Sequence, residues 1–165
     1  MTDGGTTHRR RRDMVTPQAQ LNEFIAKYSP TVARNGRAVV AKLRRLLPGA
    51  VRMVYDNYNF LVVGFGPSER PSDAILSVAF APRWVVLCFL QNGPKLPDPN
   101  GLLRGSGNVV RNIRLISARA FDAPPVRALV KAALAMARVP IPRTGSGRLV
   151  IKSISARQRP RRPVE

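Results

Sequence analysis

One cysteine, one histidine and nine carboxylates are all that 165 residues offer to metal, thiol and acid–base chemistry. Cys88 has no partner for an internal disulfide, which fits a reducing, cytoplasmic compartment. One Cys and one His fall short of the four ligands of a structural zinc site. His8 sits among Gly, Thr and Arg near the start, so Ser–His and Cys–His catalysis lack a base in the folded part. Paired-carboxylate hydrolysis needs two acids at one bond, and Asp56, Glu69, Asp73, Asp98 and Asp122 are scattered along the chain. No apolar run approaches the about 18 residues of a membrane span. The longest, Trp84 to Leu90, is strand-sized. No hydrophobic segment follows the basic cluster near the start, so no secretory leader is expected. The shortages point to a binding protein, not an enzyme, with no cofactor, no bound metal and no membrane partner.

Positive charge is abundant. The net charge is +19, and 23 of the 28 basic residues are arginine. Residues 14–138 hold 17 basic and 6 acidic groups, so the excess is not confined to the ends. A cationic body attracts polyanions, nucleic acid among them. Codon bias toward arginine would leave the same imprint on composition.

Three regions follow. Residues 1–16, with Arg9, Arg10, Arg11 and Arg12 in a row, read as a disordered basic arm. Residues 17–138 read as the folded domain. Residues 139–165 read as a linker, "VPIPRTGSG", a further strand, "RLVIKSIS", and a basic tail, "ARQRPRRPVE".

Within the domain, Thr16-Pro17 and Ser29-Pro30 are paired helix-start signals. Leu21, Phe24, Ile25 and Tyr28 share a face of the first helix. Val32, Gly36, Val39, Val40, Leu43, Leu46 and Leu47 share a side of the second. Arg34, Arg37, Arg44 and Arg45 lie opposite, either as a solvated face or as a ridge for phosphates. Five β-signals come next: "VRMVYD", "NFLVVGF", "DAILSVAF", "RWVVLCFLQ" and "RNIRLIS". They are apolar on both faces, so the sheet should be covered twice or used for homodimerisation. Phe60 and Trp84 are expected in the core, and Cys88 as an inert core thiol. Asp122, before Pro124 and Pro125, is expected to cap a last helix with Val126, Leu129, Val130, Ala133, Leu134 and Ala137 buried. The expected fold is α+β: an antiparallel sheet of about five strands with two N-terminal helices and one C-terminal helix on it.

The stretch "NGPKLPDPNGLLRGSGNVVRNIRL", from Asn92 to Leu115, reads as a set of defined turns. It matches neither a Walker loop nor a dinucleotide loop. Gly105, Ser106 and Gly107 can form a backbone nest for an anion, with Lys95, Arg104, Arg111 and Arg114 close in sequence. If residues 111–114 are extended, Arg111 and Arg114 point to opposite faces, so at most one joins it. Tyr55, Asp56 and Tyr58 form a second candidate: with Lys95 and Arg104 they would line a pocket for a small phosphorylated metabolite.

The same stretch, together with "FIAKYSPTV", "VYDNYNFLVVGF" and "APRWVVLCF", resembles the YdhG-like family of domains of unknown function. Its most specific parts are G-x-x-L-x-D-P-x-x-L-L-x-G-x-G at 93–107 and "SISARQRPRR". The resemblance covers about residues 20–160. It implies a frataxin-like fold, and some frataxin-like relatives are proposed iron chaperones. Iron prefers clustered oxygen ligands, and the first helix offers only Glu23, so an iron role is not expected to carry over.

Overall fold

The structure, a computed structural model, describes residues 15–164. Most of the expected arm, with His8 and Arg9 to Arg12, lies outside the described residues.

Helix α1 runs Pro17–Ala26, and α2 runs Pro30–Leu46. Both begin as expected. Thr16 Oγ1 accepts the Ala19 N–H at 3.1 Å, and Ser29 Oγ accepts the Val32 N–H at 3.4 Å. Pro17 and Pro30 occupy first-turn positions where an N–H would have no partner. The buried stripe of α2 is Val32, Ala33, Gly36, Val39, Val40 and Leu43. Leu46 is exposed instead, because it lies at the edge of that stripe in the last turn.

Six strands follow: β1 (Val51–Asp56), β2 (Leu61–Gly66), β3 (Leu76–Phe80), β4 (Val85–Phe89), β5 (Arg111–Leu115) and β6 (Leu149–Ile154). Their order is β5-β4-β3-β2-β1-β6. Neighbours from β5 to β1 are antiparallel, while β6 runs parallel to β1. The sheet is therefore mixed and six-stranded, not antiparallel with about five. The linker after the last helix is the cause. It returns the chain to the end where β1 begins, with Gly147 N–H on Pro48 O (2.8 Å) and Arg52 N–H on Arg148 O (2.9 Å). Two strands that start side by side run the same way.

Helix α3 spans Pro124–Ala135 and buries Val126, Leu129, Val130 and Ala133. Its N-cap is Ala123, with no side-chain cap. Asp122 ends a 3-10 turn and pairs with Lys42 and Arg127 instead. Pro124 and Pro125 carry no N–H, so a capping carboxylate there has fewer donors to satisfy.

Register sets the core. Val54, Val63, Val78, Leu87 and Ile113 form one cross-strand row. Leu61, Phe80, Val85 and Leu115 form another. Both rows join the helices in one cluster. Each large side chain removed from water there is worth about 1.5–3 kcal/mol. Gly36 lets α2 lie directly on the sheet: a Cβ there would stand 1.9 Å from the Phe80 ring. The opposite face carries Met53, Gly64, Ser77 and Cys88 in one row and Tyr55, Val62, Ala79 and Val86 in the next. Its small apolar cluster contains strand and loop residues only. Among the described residues, no helix is long and apolar enough to cross a membrane.

The segment after β6, expected as a basic tail, is a strap across the β1–β2 hairpin. Ser155 N–H donates to Asp56 O (2.9 Å) and Arg159 N–H to Tyr58 O (2.8 Å). Asp56 is 0% exposed, and its Oδ1 accepts from Arg161 Nη2 at 2.9 Å. Lys27 Nζ, at the end of α1, reaches the other carboxylate oxygen at 3.4 Å. Gln158 donates to Asp56 O at 3.2 Å, and Arg161 also donates to the carbonyl of Asn57. Removing one partner of a buried pair strands the other charge, which costs about 3–5 kcal/mol. Arg161→Met should therefore lower the stability measured by urea unfolding by about that amount. Replacing the exposed Arg157 in the same way should change it by less than about 0.5 kcal/mol.

Candidate anion-binding surfaces

The described residues hold six carboxylates and 24 basic side chains. Five of the six acids are committed within the fold. Asp56, Asp73, Glu69 and Asp122 are in salt bridges, and Asp98 caps the N–H groups of Leu102 and Leu103 at 2.8 and 2.9 Å. Hydrogen bonds from Arg148 and Lys42 hold the Glu69 and Asp122 carboxyls below their usual range. Only six basic side chains take part in these bridges: Lys27, Lys42, Arg127, Arg138, Arg148 and Arg161. The other cations have no carboxylate partner among the described residues.

Six of them line two hollows. The first is a cleft of about 450 Å3 at the β5 edge, where Arg83, Trp84, Leu102, Arg104, Arg114 and Ile116 meet. The Gly/Pro-rich segment reaches it because Arg104 and Asn112 exchange backbone hydrogen bonds at 2.8 and 2.9 Å. That exchange also covers the free edge of β5. Gly105 then turns the chain at φ +120°, a region that side-chain-bearing residues avoid. Arg114 places its guanidinium carbon 4.0 Å from the Trp84 ring centroid. Ile116 is 90% exposed beside them. Trp84, expected in the core, is half-buried at this cleft, because its alternation with Val86 and Cys88 puts it on the face the helices do not cover. Phe60 is likewise exposed, in the β1–β2 turn.

The second is a groove of about 230 Å3 among α1, α2 and β1, lined by Arg37, Arg44, Arg52, Gln18 and Asn22. Seven residues are nearly two helical turns, so Arg37 and Arg44 share a row. Arg34 and Arg45 lie about 80° round the helix and are exposed outside the groove. The four arginines thus make two rows, not one ridge.

The Asn92–Leu115 candidates are separated. Arg111 donates to the carbonyls of Gly107 and Val110, so it pins the turn and is not free for a ligand. Gly105 and Gly107 are exposed. Lys95 lies in another hollow of about 360 Å3 with Arg138, which already holds Asp73 at 2.7 Å. Of Lys95, Arg104, Arg111 and Arg114, only Arg104 and Arg114 line the cleft, where Arg83 joins them.

Tyr55, Asp56 and Tyr58 do not form a pocket. Asp56 points toward the helices into its ion pair, while Tyr55 is on the opposite face with its hydroxyl 3.9 Å from Met53 Sδ. Tyr58 is 50% exposed in the turn, under Arg159. Three strands separate β1 from β5, so Arg104, paired outside β5, stands roughly 19 Å or more away across the sheet, while Lys95 lies in the separate hollow beside Arg138. Among the described residues, no three His, Cys, Asp or Glu side chains come together to hold a metal ion.

Sequence reasoning left Arg52 and Arg83 out of the candidate sites, and weighed Trp84 as a base-stacking surface only to assign it to the core. Arg52 did carry a signal: it alternates with Val54 and Asp56 on the inward face of a strand under an arginine-bearing helix. Compared with protein-family models, with curated proteins and with solved structures, the chain matches none of them.

Cys88 lies on the open sheet face, and burial pushes its thiol above the ordinary range, partly offset by Ser77. Thiolate is the reactive form. At pH 8 its reaction with an aromatic disulfide reagent should be at least about tenfold slower than that of free cysteine, and should recover in denaturant.

Proposed function

We propose that this chain is a non-enzymatic binding module for single-stranded nucleic acid, seated at the β5-edge cleft. The observation that carries the reading is the Arg114–Trp84 stack at 4.0 Å, flanked by Arg83 and Arg104 in a cleft whose lining holds no carboxylate. Unpaired bases offer faces that stack on indole or guanidinium planes, worth about 1–3 kcal/mol per base. The neighbouring guanidiniums suit the phosphates between them. A duplex hides its base faces and would use only the charges. Ile116, almost fully exposed, adds an apolar surface that a phosphate has no use for and a base does. Membership of the YdhG-like family and a cytoplasmic location belong to the same proposal, supported by the string at 93–107 and the single cysteine.

Trp84 is the only tryptophan, so its emission reports on the cleft directly. Titration with oligothymidylate or oligouridylate at about 50 mM salt should quench it, and a hairpin duplex should quench it far less. Arg104→Gln and Arg114→Gln should each weaken binding of a labelled single strand several-fold. Tight binding with unchanged emission, or equal preference for duplex, would remove this reading.

A further inference from the structure

Arg52 is the second residue of β1, and the pleat that turns Val54 and Asp56 toward the helices turns Arg52 the same way. It is 6% exposed. Among the described residues, its guanidinium has no carboxylate partner. A buried charge is normally paired. The charge that bears on it is instead another cation: burial, then Arg44, lowers the Arg52 pKa. Arg37 and Arg44 line the groove above it. Gln18 and Asn22 form the other wall, joined by a 3.0 Å hydrogen bond. Three arginines and two amide residues thus line about 230 Å3, with Leu21, Ile25, Val40 and Ala41 completing the walls, below the about 300–1,000 Å3 of drug-sized sites.

We propose that this groove binds a phosphate group, with Arg52 at its floor and Arg37 and Arg44 at its rim. The chemistry fits a small tetrahedral dianion. Guanidinium donors match phosphate oxygens in pairs, and a doubly charged ligand relieves the repulsion among the three arginines. A lone carboxylate would bring half the charge and fewer acceptors. The phosphate can arrive free, as a phosphomonoester, or on a nucleic acid chain. This site does not rest on the single-strand reading, because the Trp84 cleft lies at the β5 edge, beyond the β4, β3 and β2 strands from β1.

The test is calorimetric titration of the full chain with inorganic phosphate at constant ionic strength. Saturable one-to-one binding is expected. Arg52→Met, which keeps the buried stem, should weaken it by at least about tenfold. Lys131→Gln, the same charge loss on the exposed side of α3, should change it less than about twofold. Without phosphate, Arg52→Met should also melt at a higher temperature than the natural chain, the reverse of what a purely structural arginine gives. If that variant does not fold, Arg37→Gln with Arg44→Gln on the exposed rim should abolish the phosphate response. Competition with oligothymidylate identifies the source. Displacement only by the 5′-phosphorylated form indicates a monoester, and displacement by both forms indicates the chain backbone. No saturable binding up to about 10 mM phosphate, or equal losses in Arg52→Met and Lys131→Gln, would overturn the proposal.

Discussion

The buried contact between Asp56 and Arg161 is the constraint that fastens the C-terminal strap to the sheet. It joins the last residue of β1 to a segment 105 positions later, and Lys27 ties the end of α1 to the same carboxylate. Around it, Tyr28 donates to Phe80 O at 3.0 Å and accepts the Leu61 N–H at 3.1 Å, and burial raises its phenol pKa. One end of the sheet is thereby closed by polar groups inside an apolar setting, where each is expensive to leave unpaired. The arrangement leaves one cost in place: Arg161 Nε is buried with no partner.

Scarcity of acid gives this contact its wider consequence. The described carboxylates are few, and nearly all are used to hold turns, helix ends or the strap. Among the described residues only Glu23 is left uncommitted, against the many arginines that line the surface. Buried charges are normally paired. Here Arg52 faces other arginines and Arg114 lies against an indole. The sheet thus separates two electropositive sites of different character, one flat and aromatic at its β5 edge, one narrow and polar near β1.

The helices were legible in the sequence because their starts are local: a hydroxyl, a proline and an apolar stripe need no knowledge of the rest of the fold. The strands were legible to within a few residues for the same reason. Strand direction was not, since β6 is set by the path of a linker rather than by its own residues. The inward turn of Asp56 needed a partner 105 residues away, so a hairpin acid looked like a pocket acid. Trp84 was assigned to the core because large aromatics usually go there, but it falls in line with Val86 and Cys88, which face away from the helices. Arg34 and Arg37 looked equivalent on a wheel, and only the position of β1 distinguishes them.

The unneutralised arginines can be counted in solution. The affinity for a short single strand, measured across salt concentrations, gives a slope of log K against log salt of about −0.7 per phosphate neutralised. Contacts from Arg83, Arg104 and Arg114 together should give about −2 or steeper. A slope near zero, with binding intact, would show that those guanidiniums do not meet phosphates and would contradict the assignment of the surface.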